Sequence, residues 1–557
     1  MKRGIDLFMK SLVDRNVNYI FGNPGSTESP MMDSLKDYPI EYILSLHEGV
    51  AVGMATTYAL GSNNVSVVNL HVAAGLGNGL GMLYNAFARN APVLITAGQI
   101  DNRIRLRKPL LGHNLVAMAE PLVKWSVEAQ RADELPLIMH RAFKIALSPP
   151  RGPVFLSLPM NVLAEETEAN VLSPTSFYWE TRPDSVAIKQ AAEIILKAKK
   201  PVIICGEEVG LKKANLELVR TAELIGAAVW DTMIPSAVSF PRNHPQFRGD
   251  LPDNHEDARK VIGDTDLVLL VGGDFLQEIF FTGIHPWPED ARVIEIQSSE
   301  EFLARNFAVE LGILSAIKPA LHELNLVLSE LISQKFQLER DRRNEELALL
   351  KTIDLEEQAK RAQVCIECQE MTPARLFIEL KEVLPIDAIL VEETNTARGD
   401  FLRTFLAETP GDYFGSLGGG IGQGLPGAVG YKLAYPDRPV IAVSGDGSAM
   451  FSVQTLWSAV HHHIPVVFII LANRAYKILK VNMDRYRKYF EIEEQAHYPH
   501  MDLTNPDIDY VMVAKGLGMD AEKVYEPEEV APALQRALAS GKPYLLEVFV
   551  EGTYPGV

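Results

Sequence analysis

Cysteine is scarce in this chain, with three residues in 557. So few exclude a disulfide framework and point to a reducing home, the cytoplasm. Cys365 and Cys368 form a lone C-x-x-C, but a zinc site needs two further ligands and none stands nearby. No apolar run reaches the ~20 residues of a membrane span. The opening Met1-Lys2-Arg3-Gly4-Ile5-Asp6 meets charge again too soon for a signal peptide. A membrane partner is therefore not expected. Positive charge is in deficit too: 53 Lys and Arg face 72 Asp and Glu, for a net charge of −19. That balance argues against nucleic acid and anionic lipid as partners.

What is present is length and alternation. A chain of 557 residues exceeds one core, and its 47% apolar content is that of a globular protein. Short β-branched runs such as Val65–Leu70, Pro92–Ile95, Val202–Ile204, Leu267–Val271 and Val440–Val443 alternate with helix-length segments. This predicts an α/β protein of three domains, each with a mainly parallel sheet flanked by helices. The expected boundaries are 1–170, 185–325 and 372–557, with a charged helical linker over 326–371 whose charges read as a solvated face. The first and third blocks share a general plan.

The most informative stretch is Gly445-Asp446-Gly447-Ser448. The buried run before it delivers a Gly-Asp-Gly turn; a helix is expected over about 450–463, and a second buried strand from Val466 ends in Leu471-Ala472-Asn473. Strand C-termini of a parallel sheet are where ligands collect. Two glycines let backbone approach phosphate, and amides at a helix start suit an anion. Asp446 and Asn473 offer hard oxygens to Mg²⁺, which shares substrate phosphates rather than taking an all-protein cage. The pattern reads as a clamp for a metal-bound diphosphate. The Gly75–Gly81 stretch is expected as a close-packed loop, not a dinucleotide fingerprint: from Gly75 the third glycine position is Leu80, and from Gly77 it is Met82.

The clamp resembles the thiamine diphosphate motif of the pyruvate decarboxylase and acetolactate synthase superfamily. Phe21–Glu28, Asn69–Asn78, Pro92–Gln99 and Leu122–Ser126 narrow the likeness to the benzoylformate decarboxylases. That resemblance implies a pyrimidine-binding, central and diphosphate-binding domain order, with thiamine diphosphate and Mg²⁺ as cofactors. It implies a small-molecule 2-oxo acid substrate, an aldehyde as acceptor where carboligation occurs, and a homo-oligomer, dimeric at least and tetrameric by custom. By the same resemblance Glu48 activates the cofactor's pyrimidine, Ser26 binds the substrate carboxylate and His71 transfers protons. Asn23, Pro24, Gly25, Asn395, Thr396, Gly420, Ile421, Gly445, Gly447, Ser448 and Tyr476 contact the cofactor, the side chains of Glu393-Thr394-Asn395-Thr396 reach its diphosphate or pyrimidine, and Ile421 props its two rings into a V. Asp446, Asn473 and the Ala475 carbonyl bind the metal.

Leu110, Leu111, Ile279 and Ile478 line the implied substrate pocket. Two of them depart from the family. Ile279 stands where its decarboxylases carry a second histidine, and His285, six residues on, does not match. Ile478 replaces a small residue, which leaves less room for an aromatic ring. Leu110-Leu111 also replaces the Phe-Gln pair of acetolactate synthases, so FAD is not expected. The alternatives are an acetolactate synthase-like carboligase and a silent scaffold that retains the fold.

Overall fold

A computed structural model describes residues 1–552 apart from 234, 276, 368–369, 416–417 and 494–496. Cys368 therefore lies outside the described residues. The chain builds three six-stranded sheets, each with every neighbouring pair parallel.

The first sheet comprises β1 (Tyr19–Gly22), β2 (Glu41–Leu44), β3 (Ser66–Leu70), β4 (Val93–Gln99), β5 (Ser126–Glu128) and β6 (Val154–Pro159), in the order β2-β1-β3-β4-β6-β5. Helix α1 (Glu48–Ser62) follows β2, and α2 (Val72–Ala88) follows β3. The glycine-rich stretch 75–81 is thus helix rather than the expected loop. Glycine's poor helix propensity is overridden because Gly75 and Gly79 let α2 pack directly on Glu48 and Val52 of α1.

The central sheet has β7 (Pro201–Cys205), β8 (Ala228–Asp231), β9 (Phe247–Asp250), β10 (Leu267–Val271), β11 (Arg292–Gln297) and β12 (Leu311–Leu314), ordered β9-β8-β7-β10-β11-β12. This is the doubly wound order, with its reversal between β7 and β10. Helix α3 (Glu207–Leu211) leaves β7, and α4 (Ile317–Leu331) follows β12. Helix α4 crosses the 325/326 boundary, with Leu321, Leu324 and Leu328 all in the central core.

Helix α5 (Gln334–Glu367) makes up most of the linker. Its charged face was expected to be solvated, but two of its cations are buried. Arg343 donates to the carbonyls of Ile225 (2.7 Å) and Lys199 (3.4 Å), and Lys351 Nζ donates to the Arg242 carbonyl at 2.6 Å. Carbonyls at element ends need donors, and these side chains supply them. Burial pushes the Lys351 ammonium down to about 8.

The last sheet has β13 (Ile389–Glu393), β14 (Tyr413–Phe414), β15 (Val440–Gly445), β16 (Val466–Ala472), β17 (Asp520–Val524) and β18 (Tyr544–Phe549). Its order, β14-β13-β15-β16-β18-β17, repeats that of the first sheet strand for strand. Four helices position its site: α6 (Gly424–Ala434), α7 (Asp446–Met450), α8 (Thr455–His461) and α9 (Lys477–Tyr489). The helix expected over 450–463 is split. Residues 451–455 step down to i→i+3 bonds, Phe451 to Ser448 and Thr455 to Ser452, and so end α7 before α8 begins.

The first and last domains meet within the chain. Helix α1 packs along α6, and Gln423 Nε2 donates to the Gly53 carbonyl at 3.0 Å. His462, just past α8, accepts the Leu44 N–H of edge strand β2 at 2.8 Å.

Candidate active site

The first and last sheets reverse direction between β1 and β3 and between β13 and β15, the crevices where such sheets take ligands. Each carries one group of the expected site residues.

In the first domain, the turn after β1 holds Asn23, Pro24, Gly25 and Ser26, and His71 immediately precedes the helix that follows β3. Glu48 opens α1 and is buried. Its carboxylate accepts from Asn23 Nδ2 at 3.3 Å and from Asn78 Nδ2 at 3.0 Å. Among the described residues it has no cationic neighbour within ion-pair distance, so it is held by neutral donors and remains able to act on a ligand. His71 Nδ1 lies 2.9 Å from Glu28 Oε2. Glu28 is fully buried, accepting from the Gly25 N–H at 2.8 Å and the Thr27 hydroxyl at 2.8 Å. Where the carboxylate accepts, the shared hydrogen sits on Nδ1, and Nε2 is the ring nitrogen not engaged by Glu28. Ser26 is exposed beside this group.

In the last domain, Asp446 sits at the start of α7, 4% exposed. Its oxygens accept backbone N–H groups from Gly447 (2.7 Å) and Arg474 (2.6 Å), and burial lifts its carboxyl to about 6. Among the described residues no cation pairs with it. A buried carboxylate with spare lone pairs and no counter-charge has the chemistry of a hard-metal ligand. Asn473 closes β16, its Oδ1 accepting the Ala475 N–H at 3.0 Å, which folds residues 473–475 around Asp446. The segment is pinned from outside: Tyr476 N–H donates to the Met501 carbonyl, and Tyr510 hydroxyl donates to the Asp446 carbonyl at 2.5 Å.

Asn395, at φ +48°, donates from Nδ2 to the Ser448 hydroxyl at 3.2 Å, joining the turns that follow β13 and β15. A cleft of about 120 Å³ opens here, lined by Thr394, Thr396, Gly445, Asn473 and Lys477 among others. Its floor is open backbone at Gly445, while the Tyr476 ring packs on Gly447, where a Cβ would lie 2.5 Å from Cε1. Glycine backbone, hydroxyls and a helix start together fit a phosphate-bearing group.

The four expected pocket residues differ in burial. Ile478 is half-buried in the first turn of α9, whereas Leu110 is 87% and Ile279 61% exposed. Leu111 is exposed as well. His285 turns away, its Nδ1 beside the Trp287 carbonyl and its ring against Trp287 and Phe307. Among the described residues, no hydrogen bond or ion pair joins the Glu48–His71 group to the Asp446–Asn473 group.

Two participants escaped the sequence reading. Glu28 and Asn78 lie inside stretches of recognised likeness but carry no spacing signal of their own. Glu393, 1% exposed, accepts three backbone N–H groups from residues 422–424, and burial pushes it up to about 7. The resemblance implies that this side chain reaches the cofactor; its carboxylate is instead taken up by these amides. Among the described residues, no group of three or more His, Cys, Asp or Glu side chains could hold a metal alone, and no helix is long and apolar enough to cross a membrane.

Three family descriptions match in order along the chain. Residues 2–117 match the N-terminal TPP binding domain of thiamine pyrophosphate enzymes, 188–324 their central domain, and 397–548 their C-terminal TPP binding domain. A benzoylformate decarboxylase of Pseudomonas aeruginosa is 34% identical over 534 residues, covering 95% of each chain. A protein described as a probable acetolactate synthase large subunit of Methanocaldococcus jannaschii is 26% identical over 568 residues, 99% of this chain and 92% of that one. Among solved structures, a thiamine diphosphate-dependent 4-hydroxybenzoylformate decarboxylase of Rhodococcus jostii superposes with a TM-score of 0.85. It is 29% identical, with 99% of this chain and 100% of that one covered.

Proposed function

The chain belongs to the thiamine pyrophosphate enzyme family, and we propose that it is a Mg²⁺-dependent decarboxylase of small or aliphatic 2-oxo acids that also joins the product to an aldehyde. Its likeness to benzoylformate decarboxylases supports the decarboxylase chemistry. The observation that carries the reading is the pair of complementary groups at equivalent sheet crevices: an uncompensated carboxylate, Glu48, in one, and a metal-ready carboxylate over an open glycine floor in the other.

When bound, thiamine diphosphate supplies the carbon nucleophile for the 2-oxo group and accepts the electron pair left by departing CO₂. The chain's residues do the rest. Asp446, Asn473 and the Ala475 carbonyl would hold the metal, a set of hard oxygens suited to Mg²⁺. Asn395, Thr396, Gly445, Gly447, Ser448 and Tyr476 seat the diphosphate. Asn23, Pro24 and Gly25 border the pyrimidine, Gly420 and Ile421 support the rings, and Glu48 exchanges a proton with the pyrimidine. Ser26 would take the substrate carboxylate, and His71, with Nδ1 against Glu28, would move a proton through Nε2.

Ile478 in the first turn of α9 narrows the room for a ring, which favours a small donor. Ile279 offers no proton where the family has a histidine, so an aldehyde competes better with protonation. Leu110, Leu111, Ile279 and the half-exposed Ile421 and Phe451 leave apolar side chains bare. That exposure supports each site closing against a second copy of the chain.

A flavin-bearing, acetolactate synthase-like enzyme is the second reading, favoured by the M. jannaschii relative. Against it, the backbone turns that leave β7 and β10 pack directly on each other: a Cβ on Gly206 would lie 2.3 Å from the Gly273 Cα. Glu207 and Glu208 also open α3, the helix start that would otherwise face a phosphate. The test is product analysis with pyruvate, 2-oxobutanoate and benzoylformate, each with and without an acceptor aldehyde. Acyloin from the small donors is expected; rapid conversion of benzoylformate to benzaldehyde with no acyloin rejects the substrate assignment.

A further inference from the structure

The stretch Gly418-Gly419-Gly420-Ile421-Gly422 bears one side chain beyond hydrogen, that of Ile421. Gly418, Gly419 and Gly422 adopt left-handed φ angles of +59°, +90° and +91°. Backbone so free does not fix Ile421 by itself. Two buried side chains from different domains do so instead.

Asn85, on α2 of the first domain, is fully buried. Its Oδ1 accepts the Gly420 N–H at 2.9 Å, and its Nδ2 donates to the Gly420 carbonyl at 2.9 Å. A Cβ at either Gly418 or Gly420 would lie 2.7 Å from Asn85 Oδ1, so the glycines are what admit the amide. On the far side, Glu393 Oε1 accepts from Gly422 (2.9 Å) and Gln423 (3.2 Å), and Oε2 accepts from Gly424 (2.8 Å). The carboxylate thereby caps the start of α6. Among the described residues it makes no ion pair, so its burial carries a stability cost that a neutral side chain would avoid. Stability alone does not account for a carboxylate here.

We propose that Asn85 and Glu393 are positioning residues for the reaction, fixing the backbone on both sides of Ile421 so that its side chain stands in one place against the cofactor. The inference rests on the thiamine diphosphate reading of Ile421 given above. Asn85 also makes the first domain part of the support for the diphosphate half of the same chain, an arrangement that the two phosphate-clamp strands do not require.

The test follows two readouts: cofactor stoichiometry by calorimetric titration, and exchange of the bound cofactor's C2 proton with deuterium by NMR. Asn85→Ala, Glu393→Gln and Ile421→Ala are compared singly, and the first two again in the Ile421→Ala background. Each single variant is expected to hold the cofactor at wild-type stoichiometry and to exchange about tenfold or more slowly, the scale of a small misplacement. In the Ile421→Ala background either change should add less than about twofold, because nothing remains to be positioned. Wild-type exchange rates in Asn85→Ala and Glu393→Gln, or losses that multiply in the double variants, overturn the proposal. Should Asn85→Ala not fold, Glu393→Gln, which keeps the side chain's shape, decides alone. A wild-type chain that takes up no thiamine diphosphate overturns the reading beneath it, and the first titration tells that failure apart.

Discussion

Glu28 and His71 meet side chain to side chain, Oε2 to Nδ1 at 2.9 Å, across the crevice between the first two central strands of the N-terminal sheet. The contact sets which imidazole nitrogen is free. Glu28→Gln replaces a pure acceptor with a group that both donates and accepts, and so no longer holds one tautomer. We expect kcat to fall about 10- to 10²-fold, and His71→Ala about 10²-fold or more, with thiamine diphosphate affinity unchanged in both. Steady-state kinetics beside a cofactor titration checks this; a loss confined to cofactor binding counts against the proton role.

Asp446 has two backbone donors and no cationic partner among the described residues. Asp446→Ala is expected to abolish cofactor retention and Mg²⁺-dependent turnover while the protein stays folded. Calorimetric titration with thiamine diphosphate and Mg²⁺, with circular dichroism as the fold control, reads this directly. A folded variant that keeps full activity and cofactor removes Asp446 from the metal site.

For Glu48, held by Asn23 and Asn78, the informative change is to Gln, which keeps shape and removes the acid. Turnover should fall by at least ~10²-fold, the scale of a missing acid–base group. The decisive readout is C2 proton exchange of bound cofactor, which should slow in step; unchanged exchange would falsify the assignment.

Glu393 yields a pH prediction. Burial raises its carboxyl from an ordinary 4.5 to about 7, so between those values the folded chain holds a proton that the unfolded chain has released. Stability from this group is present below the lower value and lost as pH rises through the upper one. In cofactor-free protein, the thermal midpoint of the wild type should therefore fall relative to that of Glu393→Gln as pH rises from about 5 to about 7.5. A constant difference across that range contradicts the shift.

Much of this architecture was legible in the sequence because apolar runs bounded by glycine are a strong signal for buried parallel strands. Val440–Gly445 and Val466–Ala472 lie where the pattern put them, and the turn between them presents Asp446 as expected. The misreadings share one cause: tertiary packing outweighed local preference. Gly75–Gly81 is helical because α1 needs a close neighbour, and the charged linker helix buries Arg343 and Lys351 because nearby carbonyls lack donors. Glu28 and Asn85 were invisible for a different reason. Each acts through a partner 43 or 335 positions away, and no periodicity records such contacts.

The most direct measurement is CO₂ release from a panel of 2-oxo acids by protein stripped of cofactor and then reconstituted. Release that appears only when thiamine diphosphate and Mg²⁺ are both restored, fastest with pyruvate or 2-oxobutanoate, is the expected result. No CO₂ from any 2-oxo acid by fully reconstituted protein, or release indifferent to the cofactor, would contradict the central claim.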